Sequence, residues 1–538
     1  MAPLDLVPNP ERPTNITRVA GPLRFLVIGA GSRGNGYAQA VTNATAAVIH
    51  AVAEPDIYRR EKFGKQYIWR DEPPSVGQEF ENWKSWLEWE RQRREKATEH
   101  ADSPGVDGVF ICTLDEMHLE ILEAIAPLNL HIMCEKPLAT SLEDCLAASR
   151  ALASISEKIF AIGHVLRYSP HNKLLRKLLL SDRVVGDIVS LEHTEPVGWS
   201  HFAHSYVRGN WRRETAAQDG SLLTKCCHDI DFILWLLSSP PPGSALDHPY
   251  HLPRSISSMG SLTQFTRKRK PVTAGNATNC FSCPIERECN YSAIKIYDEM
   301  CLAKGHTGFP VKIVRPDIED LLKASGIETA RKQLYKTLSE DYDTRTTSAA
   351  EIASRTWYGR CVWESDNTVC DDQFVTISWE DNDNNTADSS LPLQNRSAKL
   401  ATLHMIAPTQ KQCERRGRVY GTHGELAYDS ETITISEFST GKTETIEVPK
   451  PPPTEPESHG GGDYGLTRAF VQAVDAVENQ GWAVQRAQVE ILGVTPEEAI
   501  RSHAVVFAAE EARREGKVVS WNEWWKEKAL PTTTTTSS

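Results

Sequence analysis

Leu23-Arg-Phe-Leu-Val-Ile-Gly-Ala-Gly-Ser-Arg-Gly34 decides the fold, together with Ala46-Ala-Val-Ile-His-Ala-Val-Ala-Glu54 after a short helical stretch. Phe25 to Ile28 are four apolar residues in a row, the pattern of a strand buried on both faces. The loop Gly29-Ala30-Gly31-Ser32-Arg33-Gly34 follows at once with GxGxxG spacing. Gly29 permits the tight turn out of the strand, Gly31 lets a pyrophosphate approach bare backbone, and Gly34 lets the helix pack close to the sheet. Free N–H groups at the helix start then face the phosphate. Glu54, at the end of the second apolar run, can accept hydrogen bonds from both hydroxyls of an adenosine ribose. It would repel a 2′-phosphate, so NAD is favoured over NADP. Arg59 and Arg60, just beyond, weaken that preference.

Outward from this stretch, strand and helix signals alternate to about His164, which predicts a parallel, doubly wound sheet. Val106 to Cys112, Leu130 to Cys134 and Ile159 to Gly163 read as buried strands. A Trp-rich insert, Trp69 to Glu99, carries Trp83, Trp86, Leu87 and Glu90 at helical spacing, with core packing as its plain reading. Ligands bind such a sheet at the carboxyl ends of its strands. Those ends carry Gly29, Glu54, Thr113 with the loop to His118, Glu135-Lys136-Pro137 and His164.

The second half changes character. Ile188–Thr194, Phe374–Trp379, Lys399–Met405, Arg418–Tyr428, Thr432–Phe438 and Thr443–Val448 alternate apolar and polar, with hairpin signals at Thr422-His423-Gly424 and Thr440-Gly441. They predict a large, mostly antiparallel sheet. Helical runs Leu466–Val477 and Pro496–Glu515 close the chain. The expected division is a disordered arm over 1–21, a Rossmann domain over 22–164, a C-terminal α/β domain over 165–525 and a disordered tail over 526–538. An insert at about 238–355 contains a cysteine cluster.

The chain has 538 residues, enough for two or three domains, and a net charge of −13 that argues against nucleic-acid and anionic-membrane partners. No apolar run approaches the ~20 residues of a membrane span. The polar, Pro-containing start has no apolar leader core. Twelve cysteines are spread along the chain, Cys112 and Cys134 inside apparent core strands. That fits reduced thiols in a cytoplasmic protein better than a disulfide framework.

Several constellations carry chemistry, each beside a plainer reading. Lys136, directly after a strand, could polarise an oxygen beside a nicotinamide, or be a surface lysine in a turn. Lys225 and His228 share a helix face at i,i+3; His228 could take a hydroxyl proton while Lys225 holds the oxygen, or His228 could be satisfied by Asp231 or backbone. His164, Arg167 and Tyr168 follow the last parallel strand; Arg167 could bind substrate or brace the domain interface. Trp211, Arg212 and Asp231 are further candidates for the substrate side. His459 and Asp463 flank a glycine run and could touch a polyol, or Asp463 could cap a helix. Cys280, Cys283 and Cys289 lie within ten residues and suggest thiolate ligation of a structural zinc. No fourth ligand is evident; Cys301, Cys361 and Cys370 are candidates, His306 a weaker one. Three packed thiols is the plainer reading.

The glycine loop, Glu135-Lys136-Pro137, Trp211-Arg212 before Gly-Ser-Leu-Leu, and Lys225-x-x-His228 occur in an order that resembles the Gfo/Idh/MocA oxidoreductases over about Leu23 to Val519. The cysteine cluster, Tyr291-Ser-Ala-x-Lys-Ile-Tyr297 and His459-Gly-Gly-Gly-Asp463 look like a StrI-like subgroup. The resemblance implies hydride transfer between NAD(P) and a small sugar, cyclitol or related hydroxy compound. It implies Lys136 near the nicotinamide and His228 as the catalytic histidine. It also implies a homodimer or homotetramer formed through the C-terminal sheet. Many members have an aspartate four residues before the histidine; here that position is Thr224. Two other readings stay open: a redox-neutral glycosidase with tightly held NAD, and a non-enzymatic NAD or metabolite sensor.

Overall fold

The computed structural model describes residues 21–96, 105–381 and 396–529, apart from 156, 216, 218, 245, 247 and 457. Residues 1–20 of the expected arm and 530–538 of the expected tail lie outside them. Strands β1 (Arg24–Ile28), β2 (Val48–Ala53), β3 (Glu79–Phe80), β4 (Gly108–Ile111), β5 (His131–Cys134) and β6 (Phe160–Ile162) form one sheet in the order β3-β2-β1-β4-β5-β6. Every neighbouring pair is parallel. The order reverses between β1 and β4, so a crevice opens where these two strands end. The unbroken apolar runs are explained by burial on both faces. Phe25, Val27, Phe110 and Met133 pack on one side, with helix Ser32–Ala44. Leu26, Ile28, Val109, Ile111, Ile132 and Cys134 pack on the other, under helices His118–Ile125 and Leu142–Ala153 and the Trp-rich helix Trp83–Glu95. Trp86 of that helix is fully buried, as its spacing predicts.

The first face is completed by a distant part of the chain. Leu466, Phe470, Val474 and Val477 of helix Gly462–Glu478 belong to the same core as Phe25 and Phe110. The phenyl rings of Phe25 and Phe110 lie 5.7 and 5.5 Å from that of Phe470. Helix Gly462–Glu478 thus shares the cover of this sheet face with helix Ser32–Ala44.

The second sheet contains β7 (Ile188–Pro196), β8 (Ser255–Ser261), β9 (Asp372–Trp379), β10 (Lys399–Ile406), β11 (Arg416–Gly421), β12 (Gly424–Tyr428), β13 (Thr432–Glu437), β14 (Thr443–Glu447) and β15 (Val519–Ser520). Its order is β14-β13-β12-β11-β7-β10-β9-β8-β15, and β7 with β10 is its one parallel pair. Its inner face buries Leu191, Ile256, Val375, Ala401, Leu403 and Val419 with the helices Cys227–Leu237 and Pro496–Glu515. The sheet has a strand that its alternation does not suggest. Ser255–Ser261 lies in the expected insert, yet pairs with β9 in full register. Helix Trp521–Ala529 runs into the expected tail, anchored by buried Trp521 and Trp524. No helix among the described residues is long and apolar enough to cross a membrane.

Candidate active site

Both sheets open onto one cleft of about 1780 Å³. The glycine loop forms its floor. Gly29 has φ +94°, and a Cβ there would lie 2.4 Å from the Cys112 carbonyl oxygen. At Gly34 a Cβ would lie 2.0 Å from the Gly29 oxygen, so the helix start sits directly on the turn. Around Gly31, by contrast, the space is open. Gly31 is also the N-cap of helix Ser32–Ala44, with no side-chain cap and no acidic residue in the first turn. Its N–H groups are thus available to an anion. Glu54 is buried at the end of β2, where it accepts hydrogen bonds from Ala30 N at 2.8 Å and Asp56 N at 3.0 Å. A carboxylate has about four acceptor sites, so two hydroxyl donors still fit. Thr113 Oγ1, on the same cleft, is buried without a hydrogen-bond partner. Open backbone at Gly31, an uncapped helix and an orphaned hydroxyl suit a dinucleotide. Arg60 is turned away, bonded to Glu79 and the Glu54 carbonyl, whereas Arg59 lines the cleft.

Lys136 and His228 meet across this cleft. Lys136 Nζ donates to the Thr224 carbonyl at 2.8 Å and lies 5.6 Å from the centre of the Trp211 ring. Trp211 is fixed in turn by Nε1 donating to Asp115 at 3.0 Å. Thr224 immediately precedes the turn into the His228 helix, so a backbone carbonyl, not a carboxylate, seats the ammonium. His228 is 5% exposed, its Nδ1 without a hydrogen-bond partner. Burial, then the nearby Lys136 and His164, holds its pKa well below the usual histidine range. The imidazole is therefore neutral and can receive a proton.

Lys225 contacts Glu195 at 3.1 Å and donates to Cys413 Sγ at 3.0 Å. Burial opposes its charge, but Cys413 and the Glu195 carboxylate prevail and its pKa lies well above the ordinary value. It stays cationic. Arg415 ties Glu195 to Asp229, which also meets His193 Nε2 at 2.8 Å.

Arg33 ties the glycine loop to helix Gly462–Glu478. Its guanidinium donates to Glu135 at 2.7 Å and to Asp463 at 2.8 Å, and His459 Nδ1 lies 3.1 Å from the other Asp463 oxygen. Burial would raise the Asp463 carboxyl, yet Arg33 and then His459 hold it well below the usual range. Glu135 is lowered in the same way by Arg33 and Lys136, and also accepts from Tyr37. His459 lines the cleft, with its ring 6.1 Å from that of His228.

Several expected site residues do not reach the cleft. His164, Arg167 and Asp231 form a buried cluster: Arg167 is bidentate to Asp231 at 2.7 and 2.8 Å, and His164 Nδ1 lies 3.1 Å from it. Arg167 thus braces the domain interface. The Tyr168 hydroxyl donates to the Leu492 carbonyl, and His118 Nδ1 meets the Pro137 carbonyl at 2.7 Å beneath the Lys136 turn. Arg212 is spent on Asp366 and the carbonyls of Ile352 and Arg355. In each case a buried partner outcompetes the cleft. Conversely, His171, His201, Tyr206, Phe309, Arg415 and Tyr428 line the cleft and were not marked by any motif. They arrive from five separated segments; only the aromatic run around Trp199–Tyr206 gave a local hint. Cys280, Cys283 and Cys289 lie around a separate small cavity in the insert.

Residues 23–164 match the family model described as "Oxidoreductase family, NAD-binding Rossmann fold". Over 136 residues the chain is 31% identical to the 2,7-anhydro-N-acetylneuraminate hydratase of Escherichia coli K12, covering 25% of this chain and 35% of that protein. Over 137 residues it is 31% identical to inositol 2-dehydrogenase 2 of Saccharopolyspora erythraea, covering 25% and 36%. The chain thus spans little more than a third of either relative. The fold continues further. An inositol dehydrogenase homologue from Azotobacter vinelandii, solved with NAD⁺, covers 94% of this chain and 98% of its own at a TM-score of 0.55 and 13% identity. The crevice at the sheet's switch point, the bare glycine loop and the matched stretch lead to one conclusion: residues 23–164 form an NAD-binding Rossmann domain similar to that of the Gfo/Idh/MocA oxidoreductases.

Proposed function

We propose that the protein is an NAD-dependent dehydrogenase or reductase acting on a carbinol carbon of a cyclitol, sugar or related hydroxy compound. The observation that carries this reading is the convergence of Lys136 and His228 on the cleft floored by Gly29 to Arg33. A bound nicotinamide would supply the hydride acceptor or donor. The chain's own residues supply the rest. Lys136 directs an ammonium at the substrate oxygen and stabilises negative charge developing there. His228, held neutral, takes the hydroxyl proton during oxidation and returns it during reduction. Lys225, kept cationic, offers a second positive group to substrate hydroxyls. Tyr206, Phe309 and Tyr428 give the walls that exclude water.

The test is an NAD⁺ reduction screen over inositols, sugars and anhydro-sugars, run in both directions, with His228→Ala as control. Substrate-dependent NADH formation that disappears in H228A supports the reading; no turnover of any polyol, or an unimpaired H228A, sinks it. Similarity to a hydratase, whose net reaction is redox-neutral, favours a second reading in which NAD is held and recycled. Product without net NADH, from protein purified with its nucleotide, would select that reading.

A preference for NAD over NADP is supported by the buried Glu54 carboxylate at the end of β2, which would repel a 2′-phosphate. Glu54→Ser should narrow that preference, read as the ratio of kcat/KM for the two cofactors. The outer face of the second sheet presents Met259 (79% exposed), Phe374 (48%) and Leu400 (51%) on adjacent strands, with Phe374 stacked on His404 at 3.8 Å. Exposed apolar side chains on one sheet face fit a homo-oligomer interface.

A further inference from the structure

Four cysteines from two separate segments surround one small cavity of about 20 Å³: Cys280, Cys283, Cys289 and Cys361. None of its lining residues belongs to the cleft. Cys361 reaches Cys280 through an antiparallel bridge between Asn279 and Arg360. Cys280 N donates to the Gly359 carbonyl at 3.0 Å, and Cys361 N to the Thr278 carbonyl at 2.8 Å. Cys301, Cys370 and His306 do not line the cavity.

Burial pushes the Cys280, Cys289 and Cys361 thiols up, yet hydrogen-bond donors face their sulfur atoms. Cys280 Sγ accepts from Ala293 N at 3.3 Å. The backbone N–H groups of Tyr291 and Trp363 are directed at Cys289 and Cys361. Arg208, 1% exposed, also lines the cavity. It donates to the Arg360 and Tyr291 carbonyls and points Nη2 at Cys280 Sγ from 3.6 Å. Its Nη1 is buried without a partner, and among the described residues no carboxylate pairs with this guanidinium. A buried cation without an anion is costly. Four neutral thiols do not supply that anion.

We propose that Cys280, Cys283, Cys289 and Cys361 bind one zinc-class divalent ion as four thiolates, with Arg208 as counter-cation. Four S–H bonds break, four protons leave and four metal–sulfur bonds form, so the bare centre carries two negative charges. Arg208 offsets one, and the backbone N–H groups spread the remainder. Among the described residues no group of three or more His, Cys, Asp or Glu side chains is already arranged to hold a metal. Loading therefore draws the thiols inward by rotation about their Cα–Cβ bonds, and half-exposed Cys283 and Cys289 are the freest to turn. The role is structural. Arg208 ends the helical segment that presents His201 and Tyr206 to the cleft, so the metal would pin the insert to the cleft wall.

The experiment is metal analysis of the full chain, purified under reducing conditions without chelator, followed by Co²⁺ replacement. We expect about one zinc per chain and a sulfur-to-cobalt charge-transfer band. Cys361→Ser should lose most of the metal and the band, while Cys301→Ser keeps both. Nucleotide binding is measured on the same samples, so failure of the metal proposal is distinguishable from failure of the dehydrogenase reading. A protein from zinc-supplemented culture that holds no zinc and takes up no Co²⁺ overturns the proposal. Full metal content in C361S overturns the four-thiolate set, handing the fourth position to Glu286, which also lines the cavity.

Discussion

His228 has no carboxylate one turn before it, and its environment works by removing charge instead. Burial, Lys136 and His164 all favour the neutral ring. Its pKa lies below the ordinary value, so the proton-accepting form persists as pH falls through the usual histidine range. The acid limb of kcat/KM should accordingly lie below about pH 6.5; a limb at or above that value would show that another group controls it. Lys136→Ala and His228→Ala should each lower kcat by about 100-fold or more, with NAD affinity, read by fluorescence titration, little changed. These two residues were legible in the sequence because each follows a strand or opens a helix within a short local motif. Arg167, His164 and Tyr168 were in equally suggestive places, at the end of β6. What sequence position cannot show is the nearest partner: Asp231 takes Arg167 and His164, and the Leu492 carbonyl takes Tyr168.

The element that tolerates least change is the start of helix Ser32–Ala44. A methyl at Gly34 would meet the Gly29 carbonyl, which is backbone and cannot swing aside. Gly34→Ala should cost about 2 kcal/mol or more, seen as a lower thermal midpoint together with weaker NAD binding. Helix Gly462–Glu478 carries the other critical contact, Asp463 with Arg33. Because the folded Asp463 pKa is depressed, its stabilisation is complete above its unfolded value of about 3.9 and is lost as pH falls toward the folded one. Asp463→Asn should lower the thermal midpoint at neutral pH, and the gap from the unsubstituted protein should close on acidification below about pH 4. A gap that is constant with pH would mean the pair is not ionic. Most strands of the second sheet were legible from period-two alternation, and those of the first from unbroken apolar runs. β8 was not, because Ser-Ile-Ser-Ser-Met-Gly-Ser offers few apolar residues, and its pairing with β9 supplies what its composition lacks.

At the scale of the whole molecule, the cleft is assembled from parts far apart in the chain. The nucleotide side was readable because one contiguous stretch builds it. The substrate side was not, because His171, His201, Phe309, Arg415 and Tyr428 come together only through tertiary folding. The exposed Met259, Phe374 and Leu400 strip gives a prediction at this scale. Phe374→Glu should shift the mass measured by light scattering toward the monomer, while leaving NAD binding intact. An unchanged monomeric mass in both proteins would remove the strip as an interface.

The return of Gly462–Glu478 to the first sheet also sets an order of events during synthesis. When the segment through β6 leaves the ribosome, Phe25 and Phe110 have no Phe470 to cover them, and about 300 further residues must be made before it appears. The nascent nucleotide-binding region therefore carries a partly open apolar face for much of translation. A fragment ending near residue 164 should be sticky and short-lived, and a chaperone that shields such faces has a defined interval in which to act.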